Sequence, residues 1–292
     1  MAIGWVAAST APAAREAGPG PSRAATSPLD LSAYDLRLVY TNDFNTPQGI
    51  SREEDLIEQG ADGSWRRRAL PDPNAEWIAE GWGGAEVREG RLRVAPSPFD
   101  GAGRPRPVDP NQRSHMVVWN RRVFPADLLI EFEMSPCGST NGLTIVFLCA
   151  AGKDGRDLFD LSVPPRRADY RTYHSGAIAN YSDSYWSRNT EEEGLTNRLR
   201  KNPGFALAAS GPSRTTGPTD ITHRLRILKV GSHIEVEVNG QVVLRWDDPD
   251  RPLGAGRIGF RSMQGVTMVA YGHMKVWQVR PKPAVVPPAR DR

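Results

Sequence analysis

The sequence has few cysteines, no long apolar run and almost no excess charge. No apolar stretch reaches the roughly 18 residues that a membrane-spanning helix needs, so no membrane association is predicted. There are 37 lysine and arginine residues against 34 aspartate and glutamate residues, and the one dense basic stretch is residues 198–201. A nucleic-acid-binding protein needs a basic stripe or patch. Nucleic acid is therefore not predicted as a partner, and the oligomeric state is left open.

Motifs for metals, nucleotides and serine nucleophiles are absent as well. None of the five histidines has a partner at zinc-ligand spacing, and there is no P-loop or Gly-x-Ser-x-Gly. The two cysteines, Cys137 and Cys149, are predicted on a hairpin over residues 128–150, too far apart to form a disulfide. Two free thiols fit a reducing compartment without excluding export. No cofactor is predicted.

The two ends of the chain differ in composition from its middle. Residues 1–30 are rich in alanine, proline and serine and are predicted to be a disordered or signal-like tail. They lack the positive start and the strong apolar core of a complete signal peptide. Localisation therefore stays open, with the cytoplasm slightly favoured over secretion. Residues 281–292, PKPAVVPPARDR, form a proline-rich tail, and residues 31–280 are predicted to be one domain.

Short segments of alternating or apolar character dominate this domain. Hairpins are predicted at Glu89-Gly90, at Gly231-Ser232 and at Asn239-Gly240, because such pairs favour the tight turns that join antiparallel strands. One short helix is predicted over residues 51–59. Many short strands without a long amphipathic helix indicate a sandwich of two antiparallel sheets. The strands are predicted within residues 36–44, 84–96, 115–120, 128–134, 143–150, 223–231, 232–240, 241–248, 256–263 and 269–279.

Residues 173–205 stand apart from these strands. The segment, YHSGAIANYSDSYWSRNTEEEGLTNRLRKNPGF, combines aromatic residues with arginine, asparagine and histidine and has no aliphatic run. Aromatic faces and fixed donors are what a saccharide site needs. The segment is interpreted either as the lining of a concave saccharide cleft or as a long polar surface loop with a few anchoring aromatics.

Two sets of motifs resemble known proteins. The pattern K-x-G-x-x-I-x-V-x-V-N-G at residues 229–240, followed by G-R-I-G-F-R at 256–261, resembles the concanavalin A-like lectin/glucanase superfamily. Residues 114–136, 141–147, 173–186 and 197–205 resemble the YesU-like bacterial family of that superfamily, a domain of unknown function. The resemblance covers residues 36–280 and implies a jelly-roll sandwich and a carbohydrate ligand from pectin or rhamnogalacturonan. A structural calcium ion, common in the superfamily, is left open.

The leading functional hypothesis is a lyase that cleaves beside a uronate in a poly- or oligosaccharide. Such β-elimination needs a base, an acid, and a group that neutralises the carboxylate. The catalytic candidates are His174, Tyr181, Tyr185 and Arg198. The substrate-binding candidates are His115, Trp119, Asn120, Glu131, Tyr173, Asn180, Trp186, Arg200, Lys201 and Asn202.

Two alternatives remain open at this stage. A non-catalytic carbohydrate-binding module would use the same polar and aromatic residues without turnover. A retaining glycoside hydrolase needs two carboxylates about 5 Å apart, and Glu131 and Glu133 share one face of a predicted strand. The third acidic residue of the usual glucanase pattern is missing there, so solvent-facing positions are the simpler interpretation of this pair.

Overall fold

The structure, a computed structural model, describes residues 27–46, 48–67, 72, 74–107, 115–188, 195–215 and 220–283. Most of the two predicted tails, residues 1–26 and 284–292, lies outside these ranges. The elements of the described residues are, in chain order, β1 (Tyr34–Asn42), β2 (Ile50–Arg52), α1 (Glu53–Leu56), β3 (Ile57–Gln59), β4 (Trp65–Arg67), β5 (Trp77–Gly81), β6 (Gly84–Arg88), β7 (Arg91–Ala95), β8 (His115–Asn120), β9 (Leu128–Thr140), β10 (Thr144–Gly152), α2 (Tyr170–His174), β11 (Ile178–Arg188), β12 (Leu195–Asn202), β13 (Ala206–Pro212), β14 (His223–Val230), β15 (His233–Val238), β16 (Gln241–Asp247), β17 (Arg257–Met263) and β18 (Val266–Pro281).

Two eight-stranded sheets make up the fold. Sheet A has the order β16-β15-β14-β9-β18-β7-β6, with β1 paired to β18. Sheet B has the order β13-β12-β11-β10-β17-β8-β5-β2, and β3 and β4 form a separate small pair. Neighbouring strands are antiparallel except at the edge of sheet B, where β2 runs parallel to β5. The predicted all-β sandwich of the concanavalin A-like jelly-roll type is confirmed.

The main core lies between the two sheets and follows from alternation along their strands. In sheet A, Ile130, Phe132 and Met134 of β9 point inward and are at most 3% exposed. From sheet B, Val146 and Leu148 of β10 point at them. A strand with one face buried alternates at period 2, and β9 does so, with Glu131 and Glu133 between the apolar positions.

A second apolar layer covers the outer face of sheet B. All nine residues of β10 are buried, because Ile145 and Phe147 on the outer face are covered by the connection between β10 and β11. That connection, residues 153–177, contains α2 and places Leu158 and Tyr173 on the sheet. The sequence analysis predicts a strand buried on both faces at residues 143–150, and the structure confirms it.

The hairpin predicted over residues 128–150 is wrong. β9 pairs with β14 and β18 in sheet A, whereas β10 pairs with β11 and β17 in sheet B. The turn at 141–143 therefore carries the chain from one sheet to the other. Both Cys137 and Cys149 are free thiols, as expected.

The other predicted turns and the first residues of the domain can be compared with the structure directly. Glu89-Gly90 and Asn239-Gly240 have positive φ at both residues, between 51° and 80°, as the tight hairpin turns that they form require. The helix predicted over 51–59 is reduced to the four residues of α1. Leu29, assigned to the tail, is 6% exposed and packs in a small cluster on sheet A. No helix of the described residues is long and apolar enough to cross a membrane.

Candidate functional site

Strand register identifies the side chains of sheet B that point away from the core. Val146, Phe260 and Val118 are paired across β10, β17 and β8 and are fully buried in the main core. The alternate positions therefore point outward. Register joins them into one outward row across six strands: Val117, Arg261, Ile145, Ser184, Arg198 and Ser210.

Helix α2 lies over this outer face and packs beside β12. Asp169 caps the helix by accepting from Arg171 N. The His174 ring lies 4.7 Å from that of Tyr170 and 4.6 Å from that of Phe205, between centroids. The guanidinium carbon of Arg200 is 3.8 Å from the Phe205 ring centroid. We call the surface formed by Tyr170, His174, Arg198, Arg200 and Phe205 the arginine groove.

Two contacts fix the positions of the groove residues. Arg200 Nη1 donates to Phe205 O at 2.8 Å, which holds the guanidinium against the aromatic ring. Gly204 N donates to His174 O at 2.8 Å, which ties α2 to the turn after β12. A preorganised group loses less conformational freedom when a ligand binds. The groove therefore presents its cation and its imidazole in set positions.

The groove is electropositive, and its two proton-active side chains are shifted in opposite directions. Burial, assisted by Arg200 and Arg261, lowers the pKa of His174 below its usual value. Burial raises the pKa of Tyr170, although Arg200, Arg261 and Arg198 act against that rise. At neutral pH His174 is thus an unprotonated base and Tyr170 a protonated acid. Opposite shifts in neighbouring groups are typical of acid–base pairs.

Arg261 contributes to this field from beneath the groove. Its side chain is fully buried, with the guanidinium carbon 5.2 Å from the Tyr170 ring centroid and 4.8 Å from that of Tyr173. Its Nη2 donates to Ala168 O at 2.9 Å. Burial lowers the pKa of Arg261, and the neighbouring tyrosines oppose that change. A charge in a low-dielectric setting acts more strongly on its neighbours than an exposed one.

A buried ionic cluster, which we call the anchor, holds the β10–β11 connection on sheet B. It consists of Glu53, Glu80, Arg166 and Tyr173. Arg166 Nε donates to Glu80 at 3.0 Å, and Arg166 N to Glu53 at 3.2 Å. The Tyr173 hydroxyl donates to Glu80. Burial and the nearby Glu80 raise the pKa of Glu53 to about 7.

Three aromatic candidates lie on the inner face of sheet B, away from the groove. Tyr181, Tyr185 and Trp186 are at most 2% exposed and belong to the main core. The Tyr181 hydroxyl donates to Asp248 at 2.5 Å and accepts from Leu253 N. Burial raises the pKa values of Tyr181 and Tyr185. The structure does not bring these side chains together with His174.

The amide candidates have structural partners. Asn180 and Asn202 point outward but are buried, and Asn202 Nδ2 donates to Asn180 Oδ1 at 3.0 Å. Asn180 Nδ2 donates to Tyr173 O at 2.9 Å, which ties β11 to α2. Asn120 points inward and donates to the Tyr40 hydroxyl. Lys201 points away from the groove and pairs with Asp248 at 2.7 Å.

The remaining candidates divide between the two sheets. His115 and Trp119 share the outer face of sheet B, as alternation predicts. Trp119 is fully buried there between Phe147 and Tyr173. Glu131 lies on sheet A, on the opposite side of the sandwich, in a cleft of about 920 Å³. Trp277 Nε1 donates to it at 2.6 Å.

Of the predicted residues, the structure therefore brings His174, Arg198 and Arg200 together, and it adds three that sequence reasoning missed. Tyr170 and Phe205 complete the groove, and Arg261 lies beneath it. Their sequence signals are weak. Tyr170 precedes His174 by one helical turn, and Arg261 ends the G-R-I-G-F-R motif without any local sign that it faces outward. No group of three or more histidine, cysteine or acidic residues suited to a metal occurs in the described ranges.

The two stacked sheets and their strand order define a β-sandwich of the concanavalin A-like class. The family described as domain of unknown function (DUF1961) matches residues 68–276, and the chain belongs to this family. It is 36% identical over 158 residues to the uncharacterized protein YesU of Bacillus subtilis (strain 168), an overlap that covers 51% of this chain and 71% of YesU. The predicted family resemblance is confirmed.

Solved structures support the same fold. A protein of unknown function with a galectin-like fold from Bacillus subtilis superposes with a TM-score of 0.63 at 27% identity, covering 85% of this chain and 100% of the other. The exoplasmic/lumenal domain of VIP36, in a form bound to Ca2+ and Man3GlcNAc, superposes with a TM-score of 0.50 at 12% identity. That match covers 74% of this chain and 89% of the VIP36 domain. At this identity it bears on the fold alone.

Proposed function

We propose that the arginine groove binds an acidic saccharide and cleaves it beside a uronate by β-elimination. The observation that carries the proposal is the convergence of Arg198, Arg200 and Arg261 on the Tyr170–His174 pair, with Arg261 beside the Tyr170 ring and Arg200 against the Phe205 ring. A field of this sign favours an anionic ligand. The aromatic faces of Tyr170 and Phe205 suit the apolar C–H surfaces of a sugar ring.

The roles follow from the two protonation states. Arg198 and Arg200 hold the uronate carboxylate, which makes the C5 proton more acidic. Neutral His174 takes that proton. As the C5–H electron pair forms the C4=C5 double bond, the C4–O4 bond breaks and its electron pair goes to O4, which takes the hydroxyl proton of Tyr170. Positioned acid–base groups of this kind contribute a factor of about 10²–10⁴ in rate.

A binding module without turnover is the second candidate function. It is supported by Arg200, whose guanidinium is already fixed by Phe205 through both a hydrogen bond and ring stacking. Preorganised binding needs no proton transfer. Under this alternative His174 and Tyr170 serve as stacking surfaces, and their loss weakens affinity without any change in product.

The test compares His174→Gln and Arg198→Gln with His233→Gln, a control on β15 of sheet A whose side chain is 33% exposed and does not line the cleft of Glu131. The purified proteins are incubated with a panel of uronate oligosaccharides, and ultraviolet absorbance of the new double bond is followed beside calorimetric binding. We expect His174→Gln to lower turnover by a factor of about 10² or more, with affinity within a few-fold. Arg198→Gln should lower affinity by a factor of about 10 to 150, since a charge-assisted bond contributes about 1.5–3 kcal/mol.

Each outcome assigns one function. Binding without unsaturated product in the wild type, with affinity lost in both variants, would replace the lyase by the binding module. New reducing ends without the double bond would indicate hydrolysis and turn attention to Glu131. No binding of any acidic saccharide would refute the proposal. The control should match the wild type throughout.

A further inference from the structure

Trp82 is the most exposed large apolar side chain among the described residues, at 75%. It occupies the bend between β5 and β6, and the backbone on each side of it is fixed. Arg52 donates from Nη1 to Gly81 O at 2.8 Å and from Nη2 to Gly83 O at 3.2 Å. A tryptophan ring held in water by a braced turn offers an apolar face on which a sugar ring can stack.

The bend lies at the same level of sheet B as the arginine groove. Gly81 is paired with Met116 of β8. Met116 is paired with Ser262, Ser262 with Thr144, and Thr144 with Tyr185. Tyr185 follows Ser184, which is paired with Arg198. A line across the strands from Trp82 therefore ends at the groove.

The edge of the β10–β11 connection borders this line. A Cβ atom on Gly81 would lie 2.5 Å from Ala168 Cβ and 2.5 Å from His115 O, so the bend abuts the connection two residues before Tyr170. The partly buried side chains of His115 and Met263 lie between the bend and the groove, on paired positions of β8 and β17. The bend, the connection and these two side chains thus lie near one another on sheet B.

The length of this line sets the size of the ligand. From β5 to β12 there are five inter-strand steps, and at about 4.8 Å each they span roughly 24 Å. A single sugar ring bound by Arg198 and Arg200 does not reach Trp82. A saccharide chain lying across the strands does.

We propose that Trp82 is a remote stacking subsite for the same acidic saccharide, so that the protein recognises a chain of several sugars and not a terminal residue alone. The inference rests on the proposed function, because it takes its ligand from the arginine groove. It adds a length requirement that the groove by itself does not impose. The indole face carries no charge and stacks on sugars irrespective of their carboxylates.

The experiment measures affinity for a ladder of uronate oligosaccharides from dimer to octamer. Trp82→Ala is compared with Trp82→Phe, which keeps an aromatic face, and with Leu38→Ala, an exposed apolar position on β1 of sheet A. Wild-type affinity should rise with length. Trp82→Ala should bind the octamer about tenfold more weakly, a change of about 1.4 kcal/mol, and the dimer as tightly as the wild type. Trp82→Phe should retain most of the gain, and Leu38→Ala should match the wild type.

The result separates this inference from the function on which it rests. If the oligosaccharides bind and their binding depends on Arg198, but Trp82→Ala has no effect at any length, the subsite is refuted and the groove stands. An equal loss for dimer and octamer also refutes it, because the effect is then not remote. If the wild type binds no member of the ladder, the proposed function fails and the subsite fails with it.

Discussion

Replacing Arg166 by methionine removes the cation that lies between two buried carboxylates. The Arg166 side chain is 3% exposed, and those of Glu53 and Glu80 are 5% and 0% exposed. Methionine keeps much of the volume but leaves both carboxylates without their charge partner. Breaking a buried pair in this way costs about 3–5 kcal/mol. We expect the free energy of unfolding at about pH 8 to fall by that amount.

The penalty should depend on pH in a defined direction. The pKa of Glu53 is already raised to about 7 by burial and by Glu80, against the opposing effect of Arg166. A carboxyl whose folded-state pKa is raised favours the fold below its unfolded pKa and loses that stability as pH rises through its folded pKa. Without Arg166 the pKa of Glu53 rises further. The variant should therefore be closest to the wild type near pH 5 and furthest from it near pH 8.

Urea denaturation at both pH values tests this reasoning. The control is Arg156→Met on the same connection, where Arg156 and Asp154 are each 52% exposed and the expected loss is at most about 1 kcal/mol. Adding Glu80→Gln to Arg166→Met should restore part of the stability. A loss below about 1 kcal/mol for Arg166→Met at pH 8, or a loss that is the same at both pH values, would show that the anchor does not hold the connection.

Two further predictions concern buried positions of sheet B. Asp183 is fully buried on the inner face, and burial raises its pKa to about 7. Asp183→Asn should therefore be more stable than the wild type near pH 8, and this difference in stability should shrink towards pH 5. Urea denaturation curves that show the same difference at both pH values would contradict this. A Cβ atom on Gly259 would lie 2.4 Å from the Trp119 ring, so Gly259→Ala should lose about 1–3 kcal/mol in the same assay. Gly254→Ala, where no atom lies within 4 Å, should change by less than about 0.5 kcal/mol, and equal effects would refute the packing argument.

Strands with one buried face were predictable from sequence, because alternation records the environment of each residue. β14 begins at His223, where the pattern places it, and the turn pairs Glu89-Gly90 and Asn239-Gly240 join the expected strands. The pairing of β9 was not predictable in this way. A short turn after a strand is compatible with a hairpin and with a crossing between sheets, and local sequence does not distinguish them.

Residues 173–205 show why the site was predicted only in part. The segment is not one long loop, because it contains β11, β12 and the end of α2, and only its outward positions lie at the arginine groove. Its inner positions carry Tyr181, Asp183 and Tyr185, polar or amphipathic types that composition does not distinguish from ligand-binding residues. Only the pairing of Tyr181 with Leu148 of β10 shows that it points into the core.

The position of the groove depends on contacts that are remote in sequence. α2 has five residues, too few to be stable alone, so its place on sheet B must come from tertiary contacts. The anchor supplies part of them, since Tyr173 of α2 and Arg166 both bind Glu80 of β5. Tyr170 and His174 flank Tyr173 on the same helix. Loss of the anchor should therefore displace the acid–base pair from Arg198 and Arg200, so that stability and ligand binding fall together in Arg166→Met, whereas His174→Gln should leave stability unchanged.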